Sequence, residues 1–64
     1  MKFKIELELY NFIDKTTDLW QKEEYAKDVD EAYKKAQQVI KEINDLRADE
    51  IAASIKSVDP IKEN

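Results

Sequence analysis

Asp28–Arg47, DVDEAYKKAQQVIKEINDLR, is the stretch from which the fold can be read. Val29, Ala32, Tyr33, Ala36, Val39, Ile40, Ile43 and Leu46 recur at steps of three and four, which draws one apolar stripe along a helix. Asp28, followed three positions on by Glu31, sets up an N-cap in which each carboxylate takes an amide that the first turn leaves unbonded. Asp28, Asp30 and Glu31 crowd the positive end of the helix dipole, while Lys41 and Arg47 lie toward the negative end. Asp30 with Lys34 and Glu31 with Lys35 add opposite charges four apart. A helix over residues 29–47 is predicted, with Tyr33 in the core and its hydroxyl at the rim. One stripe on one helix needs one apolar surface to cover, and the flanking segments must supply it.

Upstream, Phe3, Ile5, Leu7 and Leu9 alternate with Lys2, Lys4, Glu6 and Glu8, the pattern of a half-buried strand. It is predicted over residues 2–13, although Tyr10, Phe12 and Ile13 put apolar groups on both faces near its end. Asp14-Lys15-Thr16-Thr17-Asp18 is the polar cluster available as a turn, and without glycine it is expected to form a loop longer than two residues. A second strand follows over residues 19–27, with Trp20, Lys22, Glu24 and Ala26 in one phase and Leu19 and Tyr25 in the other; a bulge here would shift the register.

Downstream, Ile51, Ala53 and Ile55 alternate as in a strand, whereas Ile51, Ala52, Ile55 and Val58 also fit a short helix. Two strands alone make a poor sheet, and three beneath one helix can bury an apolar face, so residues 50–58 are assigned as a third strand, ended by Pro60. The expected fold is one α+β domain over residues 1–64: a three-stranded antiparallel sheet in ββαβ order with one long helix packed on one face.

Composition narrows the chemistry. The 64 residues include no Cys, His or Gly and a single Pro, and eleven Lys and Arg against fifteen Asp and Glu leave a net charge of −4. Thiol and imidazole metal sites, disulfides and glycine-built phosphate loops are thereby excluded, as are the two commonest side chains for proton transfer and nucleophilic attack at neutral pH. Glu6 and Glu8 share a strand face with Lys2 and Lys4 and are expected to be solvated. Asp28, Asp30 and Glu31 are accounted for by helix capping, and Ser54 and Ser57 have no histidine to activate them. No enzyme activity, cofactor or metal is expected. Lys34, Lys35 and Lys41 are interleaved with Glu31, Glu42 and Asp45, so direct nucleic-acid binding is not expected either. No apolar run approaches the roughly 18 residues of a membrane span, nor does the charged N-terminal alternation resemble a signal peptide. The expected location is cytoplasmic.

What a lone helix-on-sheet core explains least is Tyr10, Phe12, Leu19 and Tyr25. With Phe3, Ile5, Leu7 and Leu9 facing the helix, Tyr10 and Phe12 point to the other side of the sheet, joined by Leu19 and Tyr25; a bulge would return some of them to the core. An aromatic patch on an uncovered face suits a protein partner or a homodimer seam. Tyr10, Phe12 and Tyr25, with Lys56 for steering, are the candidate partner-binding residues.

Tyr25-Ala26-Lys27-Asp28-Val29-Asp30-Glu31-Ala32-Tyr33-Lys34-Lys35-Ala36 resembles the strand-to-helix junction of small bacteriophage proteins of strand–strand–helix–strand order, such as the podophage inhibitors of host RNA polymerase. The shared features are Tyr25-Ala26, then Asp30-Glu31-Ala32, then Ala36. Similar junctions occur in HicB-like antitoxins, whose Pro-Asp-Leu-Pro-Gly signature is absent here. The resemblance implies a phage or mobile-element origin and action inside a host cell. In the polymerase inhibitors, basic residues on the last strand contact the enzyme; Lys56 is the residue in the comparable place. The expected function is a non-enzymatic protein-binding module, a phage-encoded modulator of a host enzyme. The alternatives are an acidic DNA mimic that blocks a nucleic-acid enzyme, and a structural homodimer with no other partner.

Overall fold

Four elements follow in the order β1 (Lys2–Asn11), β2 (Thr16–Tyr25), α1 (Val29–Arg47) and β3 (Ile51–Pro60). They are seen in a computed structural model that describes residues 1–47 and 49–62. The sheet runs β2-β1-β3, with β1 antiparallel to both neighbours. β2 and β3 are therefore parallel to each other, and α1 carries the chain from one edge of the sheet to the other. The α+β architecture and the ββαβ order are those the sequence predicts.

Alternation puts Phe3, Ile5 and Leu7 on the covered face of β1, where each is at most 2% exposed. Ala26, Ala32, Ala36 and Val58 complete the buried core, and Leu9, Trp20, Val39, Ile40, Ile43 and Ile55 pack around it. Ala32 and Ala36 are fully buried. With nothing beyond Cβ, they let the helix backbone settle close to the sheet. The helix lies over β1 and β3, leaving most of β2 outside its cover. That placement corrects the position of Tyr33, which is 42% exposed. With Ala32, Ala36 and Ile43 pointing at the sheet, Tyr33 falls on the flank of the stripe, while Val29 and Leu46 lie at the two ends of the helix, and all three remain exposed.

The cap forms as expected on one side: the Glu31 amide donates to Asp28 Oδ1 at 2.9 Å, and the Ala32 amide makes the first helical bond to the Asp28 carbonyl at 3.1 Å. Glu31 reaches back to the Lys27 amide rather than to that of Asp28. Lys35 turns away from Glu31 and donates through Nζ to the Tyr25 carbonyl, tying the helix to the end of β2. At the other helix end, Arg47 Nη2 meets Glu50 Oε2 at 2.8 Å across the turn into β3.

Strand ends differ from expectation for local reasons. β1 stops at Asn11 instead of residue 13, because Asn11 Oδ1 accepts from the Ile13 and Asp14 amides at 2.9 and 3.0 Å and curls them out of the ladder. Lys15 closes the turn with its amide on the Asn11 carbonyl at 2.8 Å and a φ of 58°. This left-handed conformation costs a non-glycine residue roughly 1 kcal/mol, which the Asn11 bonds help to offset. The loop is thus only residues 12–15, and β2 begins at Thr16 rather than 19. It ends at Tyr25 rather than 27, since Lys27 is already engaged with Glu31. β3 continues past 58 to Pro60, which lies opposite Phe3.

β1 and β2 pair without interruption, so the bulge considered for the second strand is not there. The register shifts instead in β3: Leu7 faces Ile55, Glu6 faces Ser57, and Lys56 is the extra residue between them. Strict alternation from Ile55 would turn Val58 outward; the additional residue restores it to the core, where it is 8% exposed.

Candidate functional site

The face of the sheet away from α1 is read directly from the register. β1 contributes Lys2, Lys4, Glu6, Glu8 and Tyr10, opposed on β2 by Tyr25, Glu23, Gln21, Leu19 and Thr17. From β3, Asp59, Ser57, Ser54 and Ala52 stand opposite Lys4, Glu6, Glu8 and Tyr10. From its middle to the Lys2 end this face is ionic. Lys4 Nζ lies 3.3 Å from Glu6 Oε1 and Lys2 Nζ lies 3.8 Å from Glu23 Oε1. Lys4, Gln21, Lys22, Glu23 and Ile61 border an open depression of about 480 Å³.

The apolar groups collect at the ends. At the hairpin end, the Tyr10 and Phe12 rings meet edge to face, with centroids 5.4 Å apart and planes at 73°. The Phe12 amide donates to the Glu50 carbonyl at 2.8 Å, which anchors the start of the loop to the segment before β3. Leu19 stands on the same face one row along, and Ile13 projects from the loop. Tyr10, Phe12, Leu19 and Ile13 are 38%, 50%, 48% and 70% exposed, an uncovered apolar corner.

Tyr25 belongs to the opposite end. It faces Lys2, whose Nζ sits 5.6 Å from its ring centroid. Eight residues of β1 separate its row from that of Tyr10, roughly 26 Å at strand rise. Lys56 is exposed at the β3 bulge, between the two ends. Of the candidate residues, then, the structure brings together Tyr10 and Phe12, while Tyr25 and Lys56 stand apart from them and from each other. Ile13, predicted within the strand, lies in the loop next to Phe12, and Asn11, a strong turn former, is the sequence signal for that placement.

Charge at the surface is paired locally. On the helix-side face of β2, Lys22 Nζ and Glu24 Oε1 are 2.9 Å apart. The hydrogen bond to Glu24 raises the Lys22 ammonium above its ordinary value, and the same bond holds the Glu24 carboxyl below the usual glutamate range. Both shifts lead away from neutral pH. Among the described residues no side chain that is charged or polar is buried, and no three acidic groups converge as a metal would require. No helix among them is long and apolar enough to cross a membrane. Comparison with models of protein families, with characterised proteins and with solved structures found no match to this chain.

Proposed function

We propose that the chain is a non-enzymatic protein-binding module, a phage-encoded modulator of a host enzyme acting in the host cytoplasm, and that it grips its partner with the hairpin-end corner. The observation that carries this proposal is the grouping of exposed Tyr10, Phe12 and Leu19 at the hairpin end of the open face, next to a loop that exposes Ile13. Grouped apolar surface of this kind gains most from being covered, and a polar surround fixes orientation. The phage origin rests on the junction at residues 25–36 alone. Tyr25, already against Lys2, and Lys56 are given no share in the corner.

The acidic DNA mimic remains the alternative of a different class. Mimicry calls for carboxylates unmatched along one face, whereas Glu6, Glu23 and Glu24 each have a lysine partner. Affinity capture from bacterial lysate separates the two. Under the binding-module proposal, a specific enzyme is retained by the wild-type chain, is lost with Phe12→Ala, and is unaffected by added duplex DNA. Capture that DNA abolishes and Phe12→Ala leaves intact would instead favour mimicry.

A further inference from the structure

Both outer strands of the sheet have a free edge, and the two edges are built differently. β3 is interrupted by the bulge at Lys56. Near its end, Pro60 stands opposite Phe3, and the neighbouring Ile61 amide bonds the Lys2 carbonyl at 2.9 Å. By alternation the Pro60 nitrogen faces outward, where it offers no donor. A bulge, a lysine and an outward proline are the devices that stop an edge from recruiting another strand.

β2 has no bulge and no proline. The Ala26 amide donates to the Met1 carbonyl at 2.8 Å, which sets the phase: Glu24, Lys22, Trp20 and Asp18 turn their backbone groups toward β1. Thr17, Leu19, Gln21, Glu23 and Tyr25 turn theirs outward. The Tyr25 carbonyl is taken by Lys35 Nζ. The outward groups of the other four form a straight row with no partner among the described residues.

We propose that a second copy of this chain pairs with β2 along that row, antiparallel, about a two-fold axis through Trp20, to make a continuous six-stranded sheet. Charge selects both occupant and register. With the axis at Trp20, Asp18 faces the partner's Lys22 and Lys22 faces the partner's Asp18, two attractive contacts with no like-charge pair. Leu19 then lies beside the partner's Gln21 and Thr17 beside the partner's Glu23, using only the unclaimed backbone groups. Moving the axis to Gln21 sets Asp18 against the partner's Glu24 and requires the Tyr25 carbonyl that Lys35 holds. An axis at Lys22 or Asp18 opposes like charges, and one at Leu19 leaves Lys22 without an acid and sets Glu23 against the partner's Lys15, which lies in the hairpin turn with its amide on the Asn11 carbonyl. Charged residues on an edge ordinarily deter pairing; these sort into opposites against a copy of themselves in this register. Trp20, half-buried at the rim of the core, meets its symmetry mate and gains cover there. The axis is perpendicular to the sheet, so the Tyr10–Phe12 pair of each copy stays open on one face, and Leu19 alone of the corner lies at the seam. The dimer therefore stands or falls independently of the proposed partner-binding corner.

Sedimentation equilibrium of the full chain from micromolar to millimolar concentration is the test. The mass is expected to rise from 7.6 kDa toward twice that value. Asp18→Lys, which converts both attractive contacts to repulsive ones, should weaken the association about tenfold. Adding Lys22→Asp should restore it. A synthetic chain N-methylated at Gln21, which loses one outward donor and no bond to β1, should remain monomeric. Circular dichroism checks the fold of each, and if a charge variant unfolds, the N-methylated chain decides. A wild-type chain that keeps the monomer mass throughout overturns the proposal. So does a dimer indifferent to N-methylation, or a folded double variant that fails to recover association.

Discussion

β1 and β2 are the arms of one hairpin, ten residues each and paired over their whole length, yet they meet opposite environments. β1 has the helix on one face and a strand on either side; β2 has a strand on one side only, with just Trp20 and Glu24 partly shielded. The difference lies in what each arm offers the helix. On the covered face β1 presents Phe3, Ile5, Leu7 and Leu9, whereas the opposed residues of β2 are Glu24, Lys22, Trp20 and Asp18. A helix with one apolar stripe settles where apolar area is densest, over β1 and β3. Hydrogen-bond pairing alone does not make a strand part of the core.

The largest expected effect sharpens that contrast. Leu7→Ala empties a fully buried position and should cost about 2–5 kcal/mol, enough to unfold much of so small a domain. Leu19→Ala, on the other arm, should stay within about 0.5 kcal/mol. Urea denaturation of the two variants checks the pair, and equal losses would break the comparison. Next in size is Ala36→Leu, which forces a larger side chain into the helix–sheet contact and should cost about 1–3 kcal/mol in the same assay.

Deletion of Lys56 is expected to do less to stability. Removing the extra residue leaves Ile55 opposite Leu7, Ser57 opposite Glu6 and Val58 in the core, so the fold should persist within about 0.5 kcal/mol. The β3 edge would become regular, and light scattering should report more self-association than in the wild type. The smallest effect concerns the pair on β2. The lowered Glu24 favours the folded state above its ordinary 4.5, a contribution lost as pH falls through the depressed folded value. The raised Lys22 favours the fold below its ordinary 10.5, a contribution lost as pH rises past the elevated one. Because both groups are at the surface, Glu24→Gln should flatten the acid limb of a stability–pH profile only slightly, and the more so at low salt.

The architecture was legible because two unlike periods sit side by side: the alternation at Lys2–Leu9 and the three-and-four spacing of Asp28–Arg47. What escaped was set by neighbours distant in sequence. The flank position of Tyr33 depends on how far across the sheet the helix sits. The bulge is placed at Lys56 only by Glu6 and Leu7 of β1; in the sequence its trace is Val58, which falls out of the phase of Ile51, Ala53 and Ile55. The hairpin loop is longer than two residues, as expected without glycine, but lies at 12–15 instead of within 14–18, because Phe12 and Ile13 look like strand residues while the Asn11 side chain decides their backbone. That loop is also why Tyr10 and Phe12 share a corner from which Tyr25 is distant: apolar phase assigns a face, but only register assigns a place along it.

Amide hydrogen exchange on a dilute sample addresses the open outer side of β2 most directly. The account predicts protected amides at Asp18, Trp20, Lys22 and Glu24, bonded to β1, alternating with fast exchange at Thr17, Leu19, Gln21 and Glu23. Uniform protection along the strand at a concentration where the chain is monomeric would contradict it.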